Sequence, residues 1–423
     1  MDWLTLPLAA IAAVFTGYLV LLTTAAIAAR LVRRPALPPG PPRHRFAVVV
    51  PAHNEAATLP SLLPALAMME YPRPRYEVVV VADNCADDTA AVALAHGARV
   101  LARTDPARRS KGHALAWAFA RLLAEWRHDA FVILDADCRP APDLLHRLDA
   151  ALRAGASVAQ AHCVVGNPEQ SWRTALMAAD MALINYLRPA GRQALGASAD
   201  LQGSGVCLSA SLLRQIPWQT VTVAEDHEYH ARLLLHGIRA VFVPDAVVHT
   251  LVEPTMATAR EQELRWEGGR LALARRYVGP LLRAAWCRRR GRWWSCLAAA
   301  LDLTTPPFAL LAAGTAAMTA VHTVIWAAGG AGWPIVLWAA LLAGQAAYVF
   351  AGCALAGVPP RAYAALFLYG PLYAVAKIGY YVAVARGASA GWIPTPRGAA
   401  SWSARPGRPS RPPARPKYRR IPA

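Results

Sequence analysis

The chain carries a long apolar run close to its start. Residues 4–29 contain no charged side chain, and basic residues follow at Arg30, Arg33 and Arg34. A membrane-spanning helix takes about 20 apolar residues, because all backbone polar groups must be satisfied inside the helix once water is excluded. The run is therefore predicted to be one transmembrane helix. A signal peptide is disfavoured, since the basic residues follow the run and no small-residue cleavage site stands out.

Three further apolar runs lie in the second half of the chain. They cover residues 295–327, 333–356 and 362–385. The first two can each span a membrane, whereas the third is interrupted by Gly370, Pro371 and Lys377. A lysine in the middle of a span is energetically expensive. The third run is therefore predicted to lie in the membrane interface.

Basic residues predict the orientation in the membrane. Short segments rich in lysine and arginine stay on the cytoplasmic side, so the arginines after the first run place the following residues in the cytoplasm. The tail, residues 386–423, is also rich in arginine, and no acidic residue follows Asp302. Both basic segments share one side if only two of the three late runs cross. We expect a multi-pass cell-membrane protein with a cytoplasmic central domain.

Between these segments, short β-branched runs alternate with stretches of helical character. The predicted strands cover residues 46–50, 77–81, 99–101 and 131–134, and the predicted helices cover 57–69, 88–96 and 113–126. Such alternation is typical of an α/β domain with a largely parallel, Rossmann-like sheet. Ligands bind beyond the carboxyl ends of the strands in these domains.

Carboxylates stand where three of these strands end. Glu55 follows the first strand, Asp83 the second, and Asp135 and Asp137 come directly after residues 131–134. Side chains two apart on an extended segment point the same way, so the two aspartates would repel each other without a cation. A hard divalent ion with oxygen ligands removes that conflict. The sequence therefore predicts a metal site at Asp135 and Asp137.

Four other motifs each allow a functional and a purely structural interpretation. Asp87 and Asp88 either bind a ligand or cap the next helix, and Lys111 either meets a phosphate at a helix N-terminus or is simply solvated. Adjacent acids can cap a helix or supply a general base, and an Arg-Trp pair can bind a phosphate and a sugar or anchor a helix at the interface. The last two motifs are Glu225-Asp226 and Gln262-x-x-Arg265-Trp266.

Composition narrows the classes of partner. The formal net charge is +18, which points to nucleic acid, anionic lipid or phosphate-bearing ligands. No zinc-finger, RRM or KH motif is present, so we expect lipid and phosphate rather than nucleic acid. The arginine-rich residues 257–294 are predicted to form amphipathic helices on the membrane surface, with a solvated basic helix pair as the alternative. The seven cysteines include no CxxC pair, which argues against a cysteine-based zinc site.

Taken together and in this order, these residues resemble the family 2 glycosyltransferases, in particular the membrane-embedded branch that contains cellulose, chitin, hyaluronan and poly-N-acetylglucosamine synthases. The resemblance covers roughly residues 46–266. It implies a GT-A fold over residues 46–256. An N-terminal transmembrane helix (1–34) and a proline-rich linker (35–45) precede this domain, and interfacial helices (257–294), membrane helices (295–385) and a basic tail (386–423) follow it.

The resemblance also implies roles for individual residues. Glu55 and Asp83 would contact the nucleoside, and Lys111 would lie near the donor. Asp135 and Asp137 would bind the nucleotide sugar with Mg2+ or Mn2+, with Asp137 the more direct ligand. His249 is either an additional metal ligand or structural, and the structural interpretation is favoured for a lone histidine after Val247-Val248.

Further implied roles concern catalysis and the acceptor. Asp226, beside Glu225, would be the general base. The residues expected around the acceptor and the diphosphate are Gln202, Gly203, Gly205, Gln262, Arg265 and Trp266. Those similar to a gating loop of the synthases are Trp392, Thr395 and Arg397.

The function implied is inverting, metal-dependent transfer of a sugar from a nucleotide sugar, with uridine the expected base. The expected acceptor is a growing polysaccharide in the membrane, and the alternative is a lipid that receives one sugar. Two features differ from the larger synthases: the final Arg-Trp follows Gln-Glu-Leu rather than a basic run, and the spanning helices are fewer. A nucleotide-binding membrane scaffold without activity is a third interpretation, disfavoured because carboxylates stand at every expected position.

Overall fold

The first predicted span forms a single helix. In the computed structural model, which describes residues 2–32, 40–220, 222–287, 293–387 and 402, helix α1 covers Asp2–Leu31. One face of α1 packs inside the protein, with Leu19 and Leu22 fully buried. The helix therefore has a protein-facing side and an apolar outer side.

The first half of the central domain alternates strands with helices, as predicted. Its elements are β1 (Phe46–Ala52), α2 (Leu59–Ala67), a 3-10 turn (Arg73–Arg75), β2 (Tyr76–Asp83), α3 (Thr89–Ala95), β3 (Arg99–Arg103), α4 (Lys111–Ala124) and β4 (Ala130–Ile133). The four strands are parallel, in the order β3-β2-β1-β4. All four predicted strands are confirmed.

The second half completes a mixed sheet of eight strands. It comprises β5 (Cys138–Pro140), α5 (Leu144–Arg153), β6 (Val158–Val165), α6 (Trp172–Ala182), a π-helical turn (Leu183–Leu187), α7 (Arg188–Ala194), β7 (Val206–Ser209), α8 (Ala210–Gln215), α9 (Glu225–Leu235) and β8 (Val241–Thr250). The strand order is β3-β2-β1-β4-β7-β6-β8-β5. β7 runs antiparallel to β4 and β6, and β5 runs antiparallel to β8.

Helices cover the sheet on both faces. Val48 and Val50 pack on one side with Leu62 of α2, while Val49 packs on the other side with Leu115 of α4. A strand that is buried on both faces has no polar face, because successive side chains point to opposite sides. This explains why the strands read as continuous apolar runs in the sequence.

The C-terminal half of the structure is helical. Its helices are α10 (Met256–Trp286), α11 (Trp293–Thr304), α12 (Phe308–Ala327), α13 (Trp333–Ala356) and α14 (Pro360–Ala385). In the described part of the chain, four helices are long and apolar enough to cross a membrane: Thr5–Leu31, Phe308–Ala327, Trp333–Ala356 and Pro360–Val384.

The predicted run 295–327 contains two helices, and only the second, Phe308–Ala327, is long and apolar enough to cross a membrane. It divides into α11 and α12 at Pro306 and Pro307. Proline donates no backbone hydrogen bond and restricts the residue before it, so two in succession interrupt the helix. α11 packs on the basic helix α10 through residues such as Cys296 and Ala299.

The third late run forms one uninterrupted helix, α14, despite Pro371 in its interior. Lys377 is buried there, with Nζ 2.7 Å from Glu263 Oε2 and 2.6 Å from Glu267 Oε1, both on α10. Charged side chains inside a membrane protein are tolerated when they face the protein and are paired. Lys377 therefore does not require α14 to lie in the interface.

A buried amide joins three of the apolar helices. Gln345 of α13 donates through Nε2 to Thr16 Oγ1 of α1 (3.0 Å) and to Thr315 Oγ1 of α12 (2.9 Å). Hydrogen bonds of this kind hold helices together where apolar burial gives little preference between them. They fix how α1 packs against α12 and α13.

Candidate active site

Asp135 and Asp137 lie in a turn between β4 and β5. The Cys138 N–H donates to the Asp135 carbonyl at 3.1 Å. The segment is therefore a turn, and the prediction that it is extended was wrong. Ala136 points into the core, and the ligand atoms of Asp135, Asp137 and Cys138 all lie within 4.8 Å of one another. The turn, rather than the pleat of a strand, brings the two carboxylates together.

The donor atoms of this group suit a hard divalent cation. Burial raises the pKa of the Cys138 thiol well above its usual range, and its sulfur lies 3.2 Å from Ser204 Oγ. A neutral thiol is a poor ligand, which leaves two carboxylates of the kind that Mg2+ and Mn2+ prefer. Among the described residues this group does not include His249, which lies on β8 opposite Arg139.

Lys111 forms an ion pair with the aspartate turn. Its Nζ lies 2.6 Å from Asp135 Oδ1 and 3.5 Å from Glu225 Oε1, and it donates to the Gly203 carbonyl at 3.1 Å. Burial lowers the pKa of Lys111, but the carboxylates of Asp135 and Glu225 outweigh it and raise the pKa above the ordinary value. The solvated alternative for Lys111 is therefore wrong.

The start of α4 is held close to the start of α9. Ser110 caps α4 by accepting the His113 N–H at 3.1 Å. A Cβ placed on Gly112 would collide with Thr220 Oγ1 and lie 3.2 Å from Glu225 Cβ. The glycine that follows Lys111 thus permits this close approach.

Gly203 lies between residues that the sequence analysis expects near the donor and a residue that it expects near the acceptor. Its φ is +70°, and a Cβ placed on it would lie 3.3 Å from Asp226 Oδ2, 3.4 Å from Lys111 Nζ and 4.0 Å from Asp135 Oδ2. Residues other than glycine rarely adopt a φ in this range. The structure therefore brings Lys111, Asp135 and Asp226 to one point, at a residue with no side chain.

The rest of the Gln202–Gly205 segment is fastened to the sheet. Ser204 Oγ accepts the Asp135 N–H at 3.2 Å, and the Gly205 N–H donates to Ile133 at 2.8 Å. Gln202 donates through Nε2 to the carbonyl of Ile184 in the π-helical turn, at 3.1 Å. These contacts fix the segment beside the aspartate turn.

Glu225 and Asp226 are the first two residues of α9, and their pKa values are shifted in opposite directions. Burial raises the pKa of Glu225 to about 7, against the opposing charge of Lys111 and with help from Asp226. Burial also acts to raise the pKa of Asp226, but His227 and Lys111 outweigh it and lower the pKa below its ordinary value. Asp226 is therefore the ionised member of the pair at neutral pH, which suits a proton acceptor.

At the neighbouring strand end, Asp83 is paired with a residue that the sequence analysis missed. Arg103 Nη1 lies 2.5 Å from Asp83 Oδ1, and both side chains are buried. Parallel pairing of β2 and β3 puts the two residues opposite each other. Arg103 lies two residues beyond the predicted strand 99–101, and its partner follows only from the strand order.

The loops after β1 and β2 are joined to each other. Asp87 accepts the Thr89 N–H through Oδ1 and the Ala56 N–H through Oδ2, each at 3.1 Å. Glu55, which is buried, donates its own N–H to Thr89 Oγ1 at 2.8 Å. Asp87 therefore takes the capping role, while Asp88 is the N-cap residue without a side-chain bond.

Gln262, Arg265 and Trp266 lie on α10, where they share a face by their spacing. The acids between and beside them, which the sequence analysis missed, fix the helix. Glu263 is fully buried, and its carboxylate lies 2.8 Å from Arg173 of α6. With Lys377 of α14, these ion pairs hold α10 between the central domain and the apolar helices.

Trp392, Thr395 and Arg397 lie outside the described residues. Further along, Trp402 packs on the central domain, with the Arg139 guanidinium 4.3 Å from the centre of its ring. A Cβ placed on Gly166 would collide with the same ring. The Trp402 indole therefore lies across Gly166 and contacts Arg139, which is two positions after Asp137 in the chain.

A sequence model described as Glycosyltransferase like family 2 matches residues 42–269. The matched region contains every described residue that the sequence analysis placed in the site. Probable glycosyltransferase YdaM of Bacillus subtilis is 25% identical over 236 residues, covering 53% of this chain and 55% of that protein. Beta-monoglucosyldiacylglycerol synthase of Trichormus variabilis is 30% identical over 233 residues, covering 52% and 48%. The chain spans about half the length of these curated relatives.

Among solved structures, the mannosyltransferase PcManGT from Pyrobaculum calidifontis, in complex with GDP-Man and Mn2+, has a TM-score of 0.50 at 22% identity. The likeness covers 88% of this chain and 98% of that chain. At this identity it bears on the fold alone. Together with the sheet topology, it confirms the predicted GT-A type of fold.

Proposed function

The chain belongs to the family described as Glycosyltransferase like family 2, and on that premise we propose that it transfers a hexose from a nucleotide sugar to a membrane acceptor, with inversion at the anomeric carbon. The observation that carries this proposal is the meeting of Lys111, Asp135 and Asp226 at Gly203. The first two suit the diphosphate side of a donor, and the third suits an acceptor hydroxyl. A site with both is what direct transfer requires.

On the donor side, Asp135 and Asp137 would bind the nucleotide sugar, with Glu55 and Asp83 toward the nucleoside. When Mg2+ or Mn2+ is bound at the two aspartates, it supplies positive charge that stabilises the leaving diphosphate. The Lys111 ammonium, 2.6 Å from Asp135 Oδ1, adds fixed positive charge beside the same group. Such preorganised charge acts most strongly where charge develops during the reaction.

On the acceptor side, Asp226 would accept the proton of an acceptor hydroxyl through Oδ2. The hydroxyl oxygen forms a bond to the anomeric carbon while the bond from that carbon to the diphosphate breaks, and the electron pair leaves with the diphosphate. Attack comes from the face opposite the leaving group, so the product has the inverted configuration. No covalent bond between sugar and enzyme is needed.

We favour a lipid acceptor. Relatives that match about half of this chain are named for a lipid product, beta-monoglucosyldiacylglycerol. In the described part of the chain, four helices are long and apolar enough to cross a membrane, which would suit a lipid acceptor. A growing polysaccharide is the second candidate, supported by the similarity of Trp392, Thr395 and Arg397 to a synthase gating loop. In either case we propose a multi-pass cell-membrane protein with its catalytic domain in the cytoplasm.

The test is a transfer assay on the full-length protein in lipid nanodiscs. Nucleotide sugars that differ in base and sugar are supplied with Mn2+ or Mg2+, and the released nucleoside diphosphate and the product size are measured. One sugar on a diacylglycerol-type lipid supports the favoured acceptor, and a polymer supports the second. Absence of nucleoside diphosphate release with every donor, with and without metal, contradicts the proposed function.

A further inference from the structure

The two carboxylate oxygens of Asp226 have different surroundings. Oδ1 lies 2.8 Å from the backbone nitrogen of His227 and 3.0 Å from its ring Nδ1. Oδ2 is the oxygen that faces Gly203, 3.3 Å from where its Cβ would stand. One oxygen is thus held by His227, while the other is directed to the meeting point of donor and acceptor groups.

His227 is in the first turn of α9, yet its ring turns back toward Asp226 rather than away from the helix. The side chain is 43% exposed and that of Asp226 only 13%, so the ring lies nearer the surface than the carboxylate that it contacts. The acidic groups that face it are Asp226 and Glu225 on α9, and Asp200 from the segment before Gly203.

Asp200 is itself held in place. Arg192 Nη1 lies 2.7 Å from Asp200 Oδ1, and His230 Nδ1 lies 3.2 Å from the same oxygen. Burial acts to lower the pKa of His227, but the carboxylates of Asp226, Asp200 and Glu225 outweigh it and raise the pKa to about 9. The ring is therefore protonated at neutral pH, and Nδ1 donates to Asp226.

We propose that His227 is a positioning residue for the base: its Nδ1–H fixes Asp226 Oδ1, so that Oδ2 is presented to the acceptor hydroxyl. The inference rests on the proposed function, because it requires Asp226 to be the base. In the transfer step the proton passes from the acceptor hydroxyl to Oδ2, and His227 keeps its own proton throughout. Its contribution is the orientation of the carboxylate, and small misplacements of a reacting group are known to reduce rates strongly.

Two amide substitutions separate this role from a merely structural one. In H227N the side-chain nitrogen can take the place of Nδ1, whereas in H227Q it reaches the place of Nε2, which does not contact Asp226. Both amides are polar and uncharged, and both occupy a partly exposed position. H227L removes the donor altogether.

The experiment measures kcat and the KM for the nucleotide sugar on full-length protein in nanodiscs, with thermal unfolding recorded in parallel. We expect H227Q and H227L to lower kcat about 10- to 100-fold with little change in the donor KM. H227N should restore most of that loss. Equal unfolding temperatures for H227N and H227Q would show that the difference is not one of folding.

Two results would overturn the inference: wild-type kcat in H227Q, or a loss in H227N equal to that in H227Q. D226N is measured alongside to separate this inference from the proposed function. Wild-type transfer by D226N would remove Asp226 as the base and contradict the proposed mechanism itself. Loss of transfer in D226N with full activity in H227Q would overturn only the role of His227.

Discussion

Lys111 Nζ lies 2.6 Å from Asp135 Oδ1. The pair joins the first residue of α4 to the turn after β4, two segments separated by the whole of α4 and β4 in the chain. Because the same ammonium group also donates to the Gly203 carbonyl, it connects the aspartate turn with the Gln202–Gly205 segment.

Replacing Lys111 with methionine should lower transfer about 100-fold, because a half-buried, preorganised positive charge beside the proposed diphosphate site is lost. R127Q is the matched control, since Arg127 is an exposed cation shortly after the end of α4. Both variants are assayed for nucleoside diphosphate release at saturating donor and metal. A K111M rate within threefold of the R127Q rate would contradict the assigned role.

Replacing Gly203 with alanine should abolish most transfer, because the new Cβ would lie 3.3 Å from Asp226 Oδ2 and 3.4 Å from Lys111 Nζ. G97A is the control: Gly97 has φ +75° but open space around it. Both changes carry the strain of a positive φ, about 1–2 kcal/mol. Similar unfolding temperatures with activity lost only in G203A are expected, and equal activities would count against the crowded site.

Removing divalent ions with EDTA should stop transfer, and added Mn2+ or Mg2+ should restore it. D137N should raise the Mn2+ concentration for half-maximal activity at least about tenfold, because half of the carboxylate pair is lost. D143N is the control, since Asp143 pairs with Arg147 on α5. Metal-independent transfer, or an unchanged Mn2+ requirement in D137N, would contradict the metal site.

Replacing Lys377 with methionine should destabilise the protein by about 3–5 kcal/mol, because it leaves the buried carboxylates of Glu263 and Glu267 without their shared partner. R361Q, in the same helix, should cost about 1 kcal/mol or less, since its pair with Glu169 is exposed. Thermal unfolding in nanodiscs measures both. Adding E267Q to K377M should recover part of the loss, and no recovery would weaken the ion-pair explanation.

The charge on His227 should stabilise the fold over a defined pH range. Its pKa is raised from 6.5 to about 9, so the stabilisation is complete below about pH 6.5 and is lost as the pH rises through about 9. H227N keeps a hydrogen-bond donor but removes the charge. The difference in unfolding temperature between wild type and H227N should therefore be largest near pH 6 and shrink toward pH 10. A difference independent of pH would contradict the charged state.

Several features were readable from local patterns. The four parallel strands are continuous apolar runs in the sequence. Such short runs are typical of strands that are buried on both faces of a sheet. Asp135 and Asp137 were recognisable because they follow such a strand. Pro306-Pro307 also indicates the division between α11 and α12, a signal that the sequence analysis did not use.

The sequence by itself determined the fold class, the apolar helices and the identity of the acidic residues, since these depend on short-range patterns of polarity. Only the tertiary structure decided which charges face each other. Glu263, one of the two partners of Lys377, is 114 positions away. Lys111 at the start of α4 meets Asp135 in the turn after β4, and the ring of His227 turns back on Asp226. Electrostatic interactions depend on distance in space, and spacing along the chain does not specify that distance.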